Sequence, residues 1–302
     1  MGKKVIMFAG QGSQCTGMAK ESFDNCSKSR WCFEEASRIT GIDMPKLVFE
    51  PNDLLDKTEY TQVALYTAQM AVFYEKMSAG MEYNAAIGLS LGEYGALSAC
   101  GVIDYSEAVQ LVRNRGIYME NAVPAGRGAM AAVIGMTAEE VDKVLDTTAQ
   151  SLKRVTVANY NCPGQIVISG DKSEVTLALE YLKEAGARKC VMLNVSGPFH
   201  SPLLKSAGDK LGCDLEHITL NKAVYPYVAN CTAEYVDNNT SPEYIKELLA
   251  RQVYSPVYFE QSIRKMIKDG YDTFEEIGHS TTLSGFVRKI ARDMKAEVNI
   301  IA

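Results

Sequence analysis

The sequence predicts an α/β protein: a parallel sheet with helices on its faces, interrupted by a smaller βαββαβ unit. Three observations predict it. Short apolar runs at residues 5–8 and 85–87 end in glycine-containing loops, Gly10-Gln11-Gly12-Ser13-Gln14 and Gly88-Leu89-Ser90-Leu91-Gly92. Helical patterns follow those loops, and strand, loop and helix in alternation give parallel strands. The middle of the chain breaks this alternation, which resumes after residue 197.

Taken in order, residues 5–8 read as a buried strand entering a tight loop. Residues 62–79 form a helix, with Thr61 as its N-cap and Gly80 just past its end. A buried strand at 85–87 leads through the Ser90 loop into a helix ending at Cys100 and Gly101, and 105–122 is another helix. A strand at 128–135 precedes Thr137-x-x-Glu140, a capping box that opens a helix to about residue 149. Strands at 154–159 and 165–169 follow, then a helix capped by Asp171-x-x-Glu174 and running to Ala185, then a strand at 188–194. This βαββαβ order is the ferredoxin-like unit. It predicts a domain at 126–196 inserted into a larger one made of 1–125 and 197–302. The rest reads as a helix from Pro202, a strand at 224–228, helices from Pro242 and Pro256, a strand at 273–277 and a helix from Thr282.

Composition narrows the function classes. The 302 residues are 47% hydrophobic and 23% charged, which is ordinary globular usage. A chain of this length buries ~75% of its unfolded surface and needs no metal or disulfide staple. Net charge is -6, from 31 basic and 37 acidic residues, which argues against a nucleic-acid partner. The closest cysteines, Cys26 and Cys32, do not make a C-x-x-C motif, and none of the three histidines stands at finger spacing from a cysteine. No metal site is therefore expected, and dispersed cysteines read as reduced thiols. The apolar run near the start falls short of the ~7–15 residues of a signal peptide and the ~20 of a membrane span. A cytoplasmic protein without membrane contact is expected.

Gly88-Leu89-Ser90-Leu91-Gly92 matches G-x-S-x-G between a strand and a helix, the setting of a nucleophile elbow. Ser90 would then be exposed at a helix N-terminus, with the Leu91 N–H aimed at any oxyanion formed beside it. A plain Gly/Ser turn is the bland alternative. A serine nucleophile needs a base, and His200, His217 and His279 are the choices. His217 lies among acids in a surface-like stretch. His200 follows a strand and precedes Pro202, at the carboxyl end of strands where α/β folds gather function. His279 also follows a strand and remains a candidate. Arg115 shares a helical stripe with Ala108, Leu111, Val112 and Met119, with no acid three or four residues away. It either snorkels to water or awaits a ligand carboxylate that its fork matches.

Together these residues resemble the malonyl-CoA:acyl carrier protein transacylases of bacterial fatty-acid synthesis and the related acyltransferases of polyketide synthesis. The Gly10–Gln14 loop and Gly88-Leu89-Ser90-Leu91-Gly92-Glu93-Tyr94 are similar to that family's opening loop and elbow. So are Arg115-Gly116-Ile117-Tyr118-Met119, Gly197-Pro198-Phe199-His200 and Gln252-Val253-Tyr254-Ser255-Pro256, all in the family's order. The resemblance implies an α/β-hydrolase-like large domain with a parallel sheet and a ferredoxin-like insert. It implies Ser90 as nucleophile, His200 as base, and an oxyanion hole from the N–H groups of Gln11 and Leu91. Arg115 would hold the malonyl carboxylate, Phe199 belongs to the malonyl-selecting form of the histidine loop, and Gln252 would help orient His200.

The implied partners are malonyl-CoA and acyl carrier protein, with CoA and phosphopantetheine as substrate-borne groups, no bound cofactor, and a monomeric chain. Arg188-Lys189, Lys205 and Arg288-Lys289 are candidate docking cations for an acidic carrier protein, or simply solvated surface. Leu89 stands where the family has a histidine that is not its base, and Gly278-His279-Ser280-Thr281 replaces the family's Gly-Pro-Gly-Lys. Two rivals remain: an acyl-thioester hydrolase on the same fold, against which an unpaired Arg115 argues, and a silent carrier-protein-binding module, against which Ser90 and His200 argue.

Overall fold

The structure is a computed structural model that describes residues 2–301. The first strand, β1 (Lys3–Phe8), is followed by α1 (Lys20–Asn25), α2 (Ser27–Thr40), α3 (Met44–Phe49) and the long α4 (Thr58–Ser78). Next come β2 (Ala85–Gly88), α5 (Gly92–Ala99) and α6 (Tyr105–Asn121). The middle of the chain forms β3 (Gly128–Ile134), α7 (Ala138–Thr147), β4 (Val155–Cys162), β5 (Gln165–Asp171), α8 (Lys172–Glu184) and β6 (Lys189–Met192). A 3₁₀ turn (Pro202–Leu204) then leads into α9 (Lys205–Glu216), β7 (Tyr227–Val228), β8 (Tyr235–Val236) and α10 (Pro242–Gln252). The chain closes with α11 (Phe259–Lys268), β9 (Tyr271–Ile277), α12 (Thr282–Met294) and β10 (Asn299–Ile301).

The predicted α/β class holds. The large sheet has the order β10-β9-β1-β2-β7-β8, parallel throughout except for the antiparallel edge strand β8. Side chains alternate across β1. Ile6 and Phe8 pack into the cluster under α2, α4, α5 and α6, while Val5 and Met7 pack against α11 and α12. Both faces are covered, which is why β1 and β2 are apolar at almost every position. The second sheet, β4-β5-β3-β6, is antiparallel and sits on α7 and α8 with its own core of Val133, Val141, Ile168 and Leu182. Its first strand lies between its third and fourth, as the βαββαβ reading requires. The capping box at Thr137 and Glu140 is present.

Several predicted boundaries move, each for a local reason. Helix α4 starts at Thr58 with Lys57 as N-cap, so Thr61 is not the cap. Its hydroxyl instead donates back to the carbonyls of Leu55 and Lys57 at 2.7 and 2.9 Å. Asp171 caps α8 through Ser173, while Glu174 accepts the N–H of Arg154 at 2.7 Å. Helix α11 begins at Phe259 and not at Pro256, because the preceding backbone links the two sheets. Val257 exchanges hydrogen bonds with Ala158 and Tyr160 at 2.8 and 2.9 Å, and the Tyr258 ring stacks on Tyr160 at 5.3 Å. Strand β7 is only two residues long, since Val224 and Tyr225 are exposed. Among the described residues, no helix is long and apolar enough to cross a membrane.

The start of α5 is pressed against the end of β1. A Cβ on Gly92 would lie 1.9 Å from the carbonyl oxygen of Phe8. Gly92→Ala is therefore expected to cost about 1–3 kcal/mol or more by overpacking. The measurement is the urea unfolding midpoint. A midpoint equal to the wild type's would show that the helix can withdraw from the strand.

Candidate active site

A cavity of about 390 Å³ lies between the two sheets. The large sheet contributes its loops at Gly10, Gln11, Ser90 and Leu91, and the small one contributes Met130 and Val167. Ser90 sits at φ 54, in the left-handed region that non-glycine residues avoid. Such strain costs of order 1–3 kcal/mol and persists only where the surroundings enforce it. Here they do. A Cβ on Gly88 would lie 1.9 Å from the carbonyl carbon of Gly92, so the turn closes only with glycine there. Asn230 then clamps it, accepting the Ser90 N–H at 2.6 Å and donating to the Gly88 carbonyl at 2.7 Å.

His200 also has a left-handed backbone, φ 59, and its N–H donates to the carbonyl of Val253 at 3.2 Å. Its Nδ1 is 2.8 Å from the backbone oxygen of Gln252. A carbonyl only accepts, so Nδ1 carries the proton and Nε2 presents its lone pair. That Nε2 is 2.7 Å from Ser90 Oγ. Gln252 thus meets the imidazole through its main chain, and its side chain is used elsewhere. Gln252 Oε1 accepts from Arg115 Nη2 at 2.8 Å, while Nε2 donates to the Ser90 carbonyl and to Glu93 Oε2 at 2.8 and 2.7 Å. Burial first, and the Arg115 charge second, push the His200 pKa down from 6.5 to about 4.

Arg115 does not snorkel, for it is 1% exposed. Its guanidinium donates to Gln62 Oε1 at 2.6 Å, to Gln252 Oε1 and, at 3.1 Å, to Ser90 Oγ. None of these partners is a carboxylate. Its Nε has no partner among the described residues, and burial lowers its pKa without depriving it of its charge. The predicted stripe of Ala108, Leu111, Val112 and Met119 is buried with it.

Gln11 and Leu91 line the cavity, and among the described residues neither backbone N–H is spent on a hydrogen bond within the chain. Phe199 is buried in the cavity wall, and half-buried Leu89 lines it from the other side, packed on the cluster that contains Val5 and Met7. His217 and His279 are both exposed, and neither lines the cavity. The Glu276 carboxylate accepts the N–H groups of Leu283 and Ser284 at 3.2 and 2.8 Å, which seats the start of α12 beside the site. Three polar residues of the site were given no role from the sequence: Gln62, Asn230 and Glu93, the last within the quoted elbow motif. Glu93 had a signal, being a charge in an otherwise uncharged helix. Gln62 and Gln69 share one face of α4, both buried. Asn230 sits in a loop and had none.

A hydroxyl that donates to a neutral imidazole, beside a buried cation and above two free N–H groups, is equipped for nucleophilic attack on an acyl carbon. The family model of the acyl transferase domain matches residues 5–301. The chain belongs to the acyl transferase family. It is 43% identical over 296 residues to the malonyl CoA-acyl carrier protein transacylase of Bacillus subtilis, covering 98% of this chain and 92% of that one. The crystal structure of the malonyl CoA-acyl carrier protein transacylase from Clostridium perfringens matches with a TM-score of 0.92 at 43% identity, covering 99% of this chain and 92% of that one. A malonyl-transacylase in complex with its holo type II PKS acyl-carrier protein matches with a TM-score of 0.92 at 36% identity, covering 99% and 96%.

An acyl transferase with this geometry holds its imidazole neutral in the resting state. In an NMR titration, the His200 ring should remain unprotonated as pH falls through 6.5 and take its proton near 4. A midpoint at 6.5 would show that the ring is hydrated and that neither burial nor the Arg115 charge governs it.

Proposed function

We propose that this acyl transferase moves a malonyl group from malonyl-CoA to the phosphopantetheine thiol of acyl carrier protein, through an ester on Ser90. The observation that carries this reading is Arg115: a cation held in the interior, touching Ser90 Oγ and hydrogen-bonded to no carboxylate of its own chain. The buried Glu93 carboxylate reaches it only through the Gln252 amide, so the guanidinium has no direct counter-ion, and a dicarboxylic half-thioester supplies one. Named relatives and the similar structure that contains a carrier protein support the same donor and acceptor.

In this mechanism Ser90 Oγ attacks the thioester carbonyl as its proton passes to His200 Nε2. The oxyanion is met by the N–H groups of Gln11 and Leu91, an arrangement in which one lost donor costs about 2.7–4 kcal/mol in other enzymes. The carbon–sulfur bond breaks, the thiolate of CoA takes the proton from His200, and the malonyl ester remains with its carboxylate on Arg115. The carrier's thiol then gives its proton to His200 and attacks the ester, and Ser90 recovers the proton as it leaves. Gln252 keeps the imidazole in its active tautomer through its main-chain oxygen, and Phe199 closes the wall around the acyl group. A hydrolase would gain nothing from a cation in its acyl site, and a silent binding module would need neither the strained serine nor its imidazole.

The proposal takes the chain as a cytoplasmic monomer, with 126–196 as a domain inserted between 1–125 and 197–302. Of the basic candidates, Lys205 is paired with Asp209 at 2.8 Å, whereas Lys289 is exposed and reaches Gln165 of the cavity wall at 3.4 Å. Lys289 on α12 is therefore better placed than Lys205 to meet an acidic carrier.

Intact mass after incubation with malonyl-CoA should show one malonyl adduct, and Ser90→Ala should show none while its unfolding curve stays cooperative. An adduct on the variant, mapped to another residue, would falsify the nucleophile. Arg115→Ala should discriminate donors. Truncating one partner of a buried charge pair costs ~2–5 kcal/mol, so kcat/KM for malonyl-CoA should fall roughly 30- to 5,000-fold relative to acetyl-CoA. An unchanged ratio would remove the case for malonyl selection.

A further inference from the structure

Glu93, the second residue of α5, is as deeply buried as Arg115 and takes no part in the proton transfers described above. Its partners are both donors from neutral groups. One carboxylate oxygen, Oε2, accepts from Gln252 Nε2 at 2.7 Å and from the backbone N–H of Asn230 at 3.3 Å. Gln252 is the residue whose Oε1 holds the Arg115 guanidinium and whose main-chain oxygen holds His200. Asn230 is the residue that clamps the Ser90 turn.

We propose that Glu93 is a positioning residue: its carboxylate fixes which way round the Gln252 amide sits, and thereby holds the Arg115 guanidinium where it meets the acyl carboxylate. A primary amide has two orientations of nearly the same shape, and its hydrogen-bond partners choose between them. With Nε2 toward Glu93, Oε1 faces Arg115 and accepts. Turned round, the amide would aim N–H groups at a guanidinium that only donates, and its oxygen at a carboxylate and a carbonyl that only accept. The Ser90 carbonyl favours the observed orientation too, and the charge-assisted bond to the ionised form of Glu93 is about twice as strong as a neutral one. The result is a line of guanidinium, amide and carboxylate in which each hydrogen bond polarises the next.

Burial pushes the Glu93 carboxyl up to about 7, against the pull of its two donors and of Arg115. An ionisable group buried at that cost is weak evidence for stability, because apolar replacements of buried charged pairs are often neutral or stabilising. A role in selection accounts for it better. The inference rests on the reading of Arg115 as the carboxylate anchor, so its test includes Arg115→Ala.

The experiment measures kcat/KM for malonyl-CoA and acetyl-CoA in the wild type, Arg115→Ala, Glu93→Leu and Glu93→Gln, with thermal melts to confirm folding. A lost hydrogen bond to a charged group corresponds to roughly a tenfold or larger effect. Glu93→Leu should therefore lower the malonyl-to-acetyl ratio by about that factor, mainly through a higher KM for malonyl-CoA. Glu93→Gln keeps an acceptor oxygen and should fall between Glu93→Leu and the wild type. If Glu93→Leu does not fold, a ratio lowered in Glu93→Gln supports the inference and an unmoved one overturns it. A common loss for both donors, or an unmoved ratio, while Arg115→Ala shifts it, overturns the role of Glu93 and leaves the anchor standing. An unmoved ratio in Arg115→Ala sinks the anchor, and the role of Glu93 with it.

Discussion

The left-handed backbone at Ser90 is the constraint on which the remaining geometry depends. It is unfavourable by itself, and three neighbours enforce it: Gly88 and Gly92, which leave no room for a side chain, and Asn230, which binds both the serine N–H and the Gly88 carbonyl. Because the turn is held from below, the hydroxyl projects into the cavity at one fixed height. His200 reaches it with a backbone that is itself left-handed, with a main-chain bond to Val253 and its ring on the Gln252 carbonyl. Two strained residues facing each other at 2.7 Å are improbable as an accident of packing and reasonable as a paired device.

Electrostatics tie the pair to the cation beside it. Burial and the Arg115 charge both disfavour a protonated His200, so the ring is free to accept a proton but weakly basic at rest. On the proposed chemistry, an acyl carboxylate that lands on Arg115 neutralises that charge and makes the imidazole a better base when the substrate is in place. An uncharged acyl group leaves the penalty standing. Selection for the donor and activation of the nucleophile then share one residue, and the bond from Arg115 to Ser90 Oγ gives the coupling a direct route.

The sequence made the skeleton of the site legible and left its supports hidden. Ser90, His200 and Arg115 stood out because each broke a local rule: a serine between glycines after a strand, a histidine between a strand and a proline, and a cation in an apolar stripe. The structure brings all three within hydrogen-bond reach of one another or of a shared partner. The competition between His200 and His279 could not be decided from pattern, since both follow strands; the structure separates them, His200 being buried against Ser90 and His279 exposed away from the cavity. Asn230 had no pattern because loop backbone carries no periodicity. Among elements, the strongly periodic or capped ones were readable, including α6, α10 and the whole βαββαβ unit. The six-residue helices α1 and α3 and the short strands β8 and β10 were not, being too short for a period to register, and the 14-residue α2 was missed because its buried face is Ser29, Cys32, Phe33 and Ala36, a weak apolar stripe.

The small sheet is more than an appendage to the catalytic one. The chain returning from β6 to α9 carries the histidine loop, so the position of His200 is set in part by where that sheet sits. Leu193 donates to the carbonyl of Met130, and Pro198 packs so closely on Gly128 that a Cβ there would lie 2.2 Å from its ring. At the other end of the sheet, Ala158 and Tyr160 are bonded to Val257, five residues beyond the Gln252 carbonyl that orients the ring. The imidazole is therefore held between two attachments of one small sheet to one large one. A shift of that sheet would move His200 relative to Ser90, which is fixed in the large sheet. On the proposed chemistry, in which both half-reactions pass a proton through His200 Nε2, the rigidity of that junction matters as much as the identity of the residues at the site.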